Sequence, residues 1–323
     1  MKTHLLAAAA IAAFGFVAAQ AQPANEAEMH RRAAKTASGT LFPGLLASIC
    51  VSPDPATVVG DGGHKGRPIP DRATWYAQPT QMFDNLYWIG TKIHSAWALK
   101  TSGGIIIIDT LYNYAVEPEM VEGLKKLGLD PAAVKYVIVT HAHGDHDEGA
   151  HLFQQRYGAK VVMGAADWDS MARQTAIPGG QPKRDISVDA DRDITLGDTT
   201  VHVLTSPGHT PGTLSMIFPV KDHGRTLTVI YNGGTGFNFP HDVAHYDTYI
   251  ATERKLAAAA AKAGATILMS NHSVYDHAWD RSRLVKLRQA GEPHPYEMGA
   301  DAVARYFKVG EECALAARAD LKS

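Results

Sequence analysis

The stretch VIVTHAHGDHDEGAH, residues 137–151, sets four histidines and three acidic side chains within eleven positions, directly after an apolar β-type run. Such a cluster is costly to bury unless something binds it. Imidazole nitrogens and a carboxylate are the donors zinc prefers. His141 and His143 alternate along an extended segment and so point the same way, whereas Asp145 and His146 turn off in another direction. One ion cannot easily use all four; two neighbouring ions can, if each finds at least one more ligand elsewhere. A His-x-His-x-Asp-His string arises by chance in roughly two or three of a thousand chains of this length. Coincidence is the poorer reading.

Two further histidines stand where such ligands are needed. His209 lies in TSPGHTPGT, a turn between two β-type runs in which Gly208 and Gly212 permit close backbone approach. His272 lies in ILMSNHS, just past another apolar run. Both sit at strand ends, where loops carry sites on a rigid scaffold.

Outward from the cluster, the chain alternates strand-like and helix-like segments. NLYWIGT, SAWALKTS and GIIIIDT read as short strands, followed by a helix over Glu117–Gly128 and the strand VKYVIVT. A helix over Glu148–Tyr157 leads to the strand AKVVMG; TTVHVLTS, LSMIFPV, TLTVIYN and ATILMS are the later strands. Helices are expected at residues 25–37, 247–263, 281–289 and 300–319. Two sheets packed face to face with helices outside satisfy this order, an α/β layer fold.

The first 21 residues differ in kind: a basic start, an apolar run from Leu5 to Ala18, and small residues Ala19 and Ala21. They read as a secretory signal peptide cleaved after Ala21, which places the protein in the periplasm or outside the cell. Residues 22–74 form an N-terminal arm, rich in Gly, Pro and Asp from Val51 to Arg72, and residues 75–323 the main domain. The arm either covers the active site or packs on a second subunit of a homo-oligomer. With 31 basic against 33 acidic residues and no basic stripe, the composition argues against nucleic acid as a partner. No mature segment is apolar for long enough to insert stably in a membrane, and the partner expected is a small-molecule substrate. Export permits a disulfide between the two cysteines, Cys50 and Cys313, and the sequence leaves that pairing open.

The motifs THAHGDHDEGA, SPGHTPGT and SNHS, with DNLYWIGT, GIIIIDTL and the tail GEPHPYEMGADAVARYFKVGEECA, resemble the metallo-β-lactamase superfamily, most closely the third subclass of zinc β-lactamases. The likeness covers about residues 75–314. It implies an αββα sandwich, two mixed sheets with helices outside, holding two Zn2+ ions per chain. His141, His143 and His209 would hold the first, and Asp145, His146 and His272 the second. A hydroxide between the ions would be the nucleophile, with Asp145 orienting it and relaying its proton. Asp109, ending GIIIIDT, resembles the family's carboxylate that props up the ligand loop. One departure concerns substrate: where third-subclass members usually show aspartate followed by serine, this chain has Asn232 and Gly233. The serine helps to hold the β-lactam carboxylate in relatives, so Asn232 and Gly233 bear on recognition, and Asn232 serves either an oxyanion or a turn.

The expectation is an exported di-zinc hydrolase of the β-lactamase type, in a class whose members confer antibiotic resistance. The alternative is the same machinery acting on a non-lactam ester, lactone or halogenated compound. A non-catalytic metal scavenger fits less well, since catalytic zinc keeps an open position for water. An iron oxidoreductase would need a further bridging carboxylate. Asp147 and His151 read as a surface pair, Trp97 and Tyr231 as core, and His241, His245 and His277 as loop residues near the site.

Overall fold

The computed structural model describes residues 25–51, 68–174 and 176–321. The expected signal peptide and most of the Gly/Pro-rich stretch of the arm lie outside them.

Twelve strands form two mixed sheets among the described residues. The first sheet runs in chain order: β1 (Thr80–Gln81), β2 (Leu86–Trp88), β3 (Trp97–Thr101), β4 (Gly104–Ile108), β5 (Val134–Ile138), β6 (Lys160–Gly164) and β7 (Ile186–Val188). It is antiparallel up to β4 and parallel from β4 to β7. The second sheet has the order β12 (Ile267–Ser270), β11 (Arg225–Asn232), β10 (Leu214–Asp222), β9 (Thr199–Thr205), β8 (Arg192–Leu196), with only β11 and β12 parallel.

Side-chain alternation explains why the apolar runs are unbroken. In β4, Ile106 and Ile108 face the second sheet and pack with Trp97, Val203, Met216 and Tyr231. Ile105 and Ile107 face the other way, onto helices carrying Met120, Leu124, Phe153 and Trp168. A strand covered on both faces has no polar side to alternate with. On the far side, Ile217, Ile230 and Leu268 pack beneath the long helices Val243–Ala263 and Ala300–Asp320. The layers are therefore helix, sheet, sheet, helix, as the resemblance implied. Trp97 and Tyr231 are fully buried core residues.

The expected helices are present with shifted ends. The one expected at 117–128 begins at Asn113 and passes through a π turn, Val116–Val121, around Pro118, which has no N–H to give to a regular ladder. Strands β7 and β8 and the helix Ala165–Ala172 carry weak patterns and had no counterpart in the sequence reading. Asp147 is fully buried, so the surface-pair reading of Asp147 and His151 fails. The chain breaks its helix at Glu148–Gly149 instead of continuing to His151.

The described part of the arm folds onto its own chain. Helix Glu26–Ser38 lies along Ala300–Asp320, with His30 Nδ1 2.5 Å from Glu312 Oε2 and Arg305 Nε donating to the Ala37 carbonyl at 2.7 Å. Helix Pro43–Ile49 then seats Phe42 edge-on against Tyr306, and Cys50 is disulfide-bonded to Cys313. Gly44 is required there, since a Cβ would stand 2.1 Å from the Val274 carbonyl oxygen. The arm thus reaches the segment that follows His272.

Candidate metal centre

The loops at one end of the sandwich, from both sheets, bring the singled-out residues together. β5 runs out into His141–His146, the β9–β10 turn carries His209, and β12 ends one residue before Asn271–His272. His141 Nε2 and His209 Nε2 stand 3.0 Å apart, and His143 Nδ1 is 3.2 Å from His209 Nε2. Beside this set, Asp145 Oδ2 lies 3.1 Å from His146 Nε2 and 3.4 Å from His272 Nε2, and those two nitrogens are 3.2 Å apart. All six expected ligands therefore lie close together, but the two groups of mutually close donors are His141–His143–His209 and His94–Asp145–His272, the second with His94 where His146 was expected.

The donor chemistry fits cations. His141 donates its Nδ1–H to the Gly233 carbonyl at 2.9 Å, and His209 donates its own to the Gly236 carbonyl at 2.6 Å. A carbonyl can only accept, so in the neutral rings both Nε2 atoms are bare lone pairs aimed at each other. Burial, reinforced by the neighbouring imidazoles, holds His141 well below its usual pKa, and burial pulls His209 down to about 4. Neither will protonate to relieve the repulsion at neutral pH. A tetrahedral zinc bonded at about 2.0–2.1 Å spaces its donors by about 3.3 Å, close to the separations here. At the second group, burial opposes the His146 charge, but Asp145 and Asp109 outweigh it and push it up to about 10. Burial likewise opposes ionised Asp145, yet His146, His94 and His272 hold it well below the carboxylate range. Both effects mark a place built to hold positive charge.

Two buried carboxylates hold the ligand loops. Asp109 accepts from Thr140 N at 2.7 Å and Thr140 Oγ1 at 2.9 Å, and its Oδ2 is 3.0 Å from His146 Nδ1. Its backbone is in the left-handed region, φ 59°, as is that of Leu111, φ 60°, a strained turn of the kind that gathers at functional sites. Asp167 does for both motifs what Asp109 does for one. It accepts from Ala142 N, Thr210 Oγ1 and Gly212 N, each at 2.8 Å, tying the first histidine loop to the second. Burial raises its pKa, while these three bonds pull the other way.

Gly233 and Asn232 divide. The Gly233 carbonyl orients His141 and accepts from Asn271 Nδ2 at 2.7 Å. A Cβ at Gly233 would stand 1.8 Å from the Leu214 carbonyl oxygen, so only glycine brings that carbonyl close enough. Asn232 is buried and shares with Ile230 the strand face beneath the helices, beside Glu253. Its Oδ1 accepts from Gly234 N at 3.3 Å, the turn role.

Sequence reading missed His94 and Asp167. His94 follows the β2 strand in GTKIHSA, and its Nε2 stands 3.4 Å from Asp145 Oδ2. It forms a donor group with Asp145 and His272. Neither residue carries a spacing signature; only tertiary folding delivers them.

A cleft of about 620 Å³ opens against the first group. His143 and His209 form its floor, with Pro207, Pro211, Phe239 and His245 among its walls. No lysine or arginine is among the lining residues, nor are His241 and His277, placed by sequence in the same loops.

Known proteins agree with this architecture. A subclass B3 metallo-beta-lactamase of Bradyrhizobium japonicum superposes with a TM-score of 0.59 at 26% identity, over 73% of this chain and 93% of that one. An N-acyl homoserine lactonase of a Bacillus species is 25% identical over 203 residues, 54% of this chain and 75% of that protein. A hydroxyacylglutathione hydrolase of Rhodobacter capsulatus is 23% identical over 247 residues, 72% of this chain and 86% of that protein. The pattern of the metallo-beta-lactamase superfamily, whose members are zinc-dependent, matches residues 89–267. With its sandwich fold and its two His/Asp donor groups, this chain belongs to the metallo-beta-lactamase superfamily and is a hydrolase of that kind.

Proposed function

We propose that the protein is an exported two-zinc enzyme that opens the amide of a β-lactam. The reading is carried by the two donor sets lying side by side, one of them facing a substrate-sized cleft. When bound, the cations would supply a nucleophile from water at neutral pH and neutralise charge developing on the carbonyl oxygen. His143 and His209, at the cleft floor, would hold the first cation beside the place the reacting carbonyl takes. Asp145, ionised beside His146, His94 and His272, orients the attacking water and carries its proton to the leaving nitrogen. Phe239, Pro207 and Pro211 keep the cleft apolar and limit water around the reacting bond. Export is supported by the N-terminal segment and by the Cys50–Cys313 disulfide, which suits an oxidising compartment.

A second reading is favoured by one observation. A β-lactam presents a carboxylate, and the cleft offers no lysine or arginine to meet it. An uncharged ester, lactone or halogenated compound would lose nothing from that absence, and a lactonase is among the relatives. Hydrolysis of a penicillin, a cephalosporin and a carbapenem by the zinc-loaded mature protein, beside a chromogenic ester and lactone panel, separates the two. Chelator-sensitive β-lactam turnover that His143→Ala abolishes supports the first; turnover of the panel alone replaces it with the second.

A further inference from the structure

We infer that His94 is a fourth protein donor at the Asp145–His146–His272 site, so that this site is closed and the open coordination position belongs to His141–His143–His209. The inference rests on the two-cation reading above and deepens it.

Asp145 Oδ2 is the common neighbour: His146 Nε2, His94 Nε2 and His272 Nε2 lie 3.1, 3.4 and 3.4 Å from it. These separations are of the order a tetrahedral ion sets between its donors, and His94, Asp145 and His272 form one group of mutually close donor atoms. His94 is also held as firmly as an accepted ligand. Its backbone pairs antiparallel with His272 itself, flanked by Ser95 N donating to the Asn271 carbonyl and Ser273 N to the Ile93 carbonyl, each at 2.8 Å. Thr91 closes the turn beneath it: Oγ1 accepts from His94 N at 2.9 Å, and Thr91 N donates to the His94 carbonyl at 2.7 Å. The His94 ring stands edge-on to Tyr112 and His272, at centroid distances of 5.2 and 5.1 Å. A donor mounted on the same ladder as a neighbouring ligand needs little ordering to reach a cation.

Four side-chain donors saturate a tetrahedral zinc, whereas three leave a place for water or substrate. The cleft follows the same division, since its lining includes His143 and His209 but no residue of the second set. The second site therefore holds its cation tightly and steadies Asp145, and exchange of water and substrate takes place at the first.

The test is a cobalt(II) titration of the full mature apo-protein, comparing wild type with His94→Ala and His94→Gln, with thermal melts of the apo-proteins to establish that each variant folds. In wild type two equivalents bind, and one shows the intense visible absorption of four-coordinate cobalt. In both variants two equivalents still bind. One of them weakens by about tenfold or more, and its visible absorption shifts in energy and loses intensity as water replaces the imidazole. Unchanged affinity and spectrum in folded variants would overturn the inference and leave the two-cation reading standing. Uptake of a single equivalent by wild type would overturn both.

Discussion

Asp109 and Asp167 show how a few buried atoms hold a metal centre in place. Each carboxylate takes at least two donors from the loops that carry the histidines, and the two act on different sides of His141. An amide cannot replace Asp167, because its NH2 would face a backbone N–H or the Thr210 hydroxyl on one side or the other. Asp167→Asn is expected to lower zinc affinity or turnover about 10- to 100-fold, read by chelator competition and steady-state kinetics. Asp109→Asn should do the same through Thr140 and His146, whereas His143→Ala, which removes a donor, should lower turnover about 100-fold or more. The six expected ligands were legible because four fall in one short string and the other two sit in Gly- and Ser-flanked strand ends. His94 and Asp167 were not. A lone histidine after a strand and an aspartate in a weakly patterned helix look like any surface residue until the sheets pack.

Helices and strands set the terms for the arm. Helix Glu26–Ser38 and the helix Pro43–Ile49 cover the apolar face of Ala300–Asp320 that would otherwise be bare, and Cys50–Cys313 clamps them across 263 residues of sequence. A link of that span removes entropy from the unfolded chain and is worth about 2–5 kcal/mol. Reduction, or Cys50→Ser with Cys313→Ser, should lower the unfolding free energy by that order without abolishing zinc binding, as read by denaturant titration with metal analysis. Because Gly44 abuts Val274, beside the His272 loop, a modest rise in KM is expected with it. The polar helix of the arm was visible from its charge pattern, but its partner was not. Two amphipathic faces identify each other only when the topology lays them side by side. The strands with unbroken apolar runs were equally plain, while β7 and β8, short and with a single buried residue each, offered no pattern to read.

At the scale of the molecule, the helix layer over the second sheet hides a further titrating group. Glu253 is buried beside Tyr249 and Asn232, and burial pushes its pKa from 4.5 up to about 8. The folded state therefore binds this proton more tightly than the unfolded chain. Its contribution to stability is complete below pH 4.5 and is lost as pH rises through 8, by up to about 1.4 kcal/mol per unit. Zinc-loaded protein should lose stability between pH 6 and 8, and Glu253→Gln should flatten that decline in melts recorded across the range. The same molecule, stripped of metal, should melt at lower temperature, because cations that bind only the folded state stabilise it by mass action. The central claim is that two cations at one end of the sandwich make this chain a hydrolase, and the most direct test adds zinc stepwise to the apo-protein while turnover of its best panel substrate is followed. Activity that is absent without metal, rises with added zinc and saturates at two equivalents is the predicted result. Turnover that survives complete chelation, or an apo-protein that takes up no zinc, would contradict it.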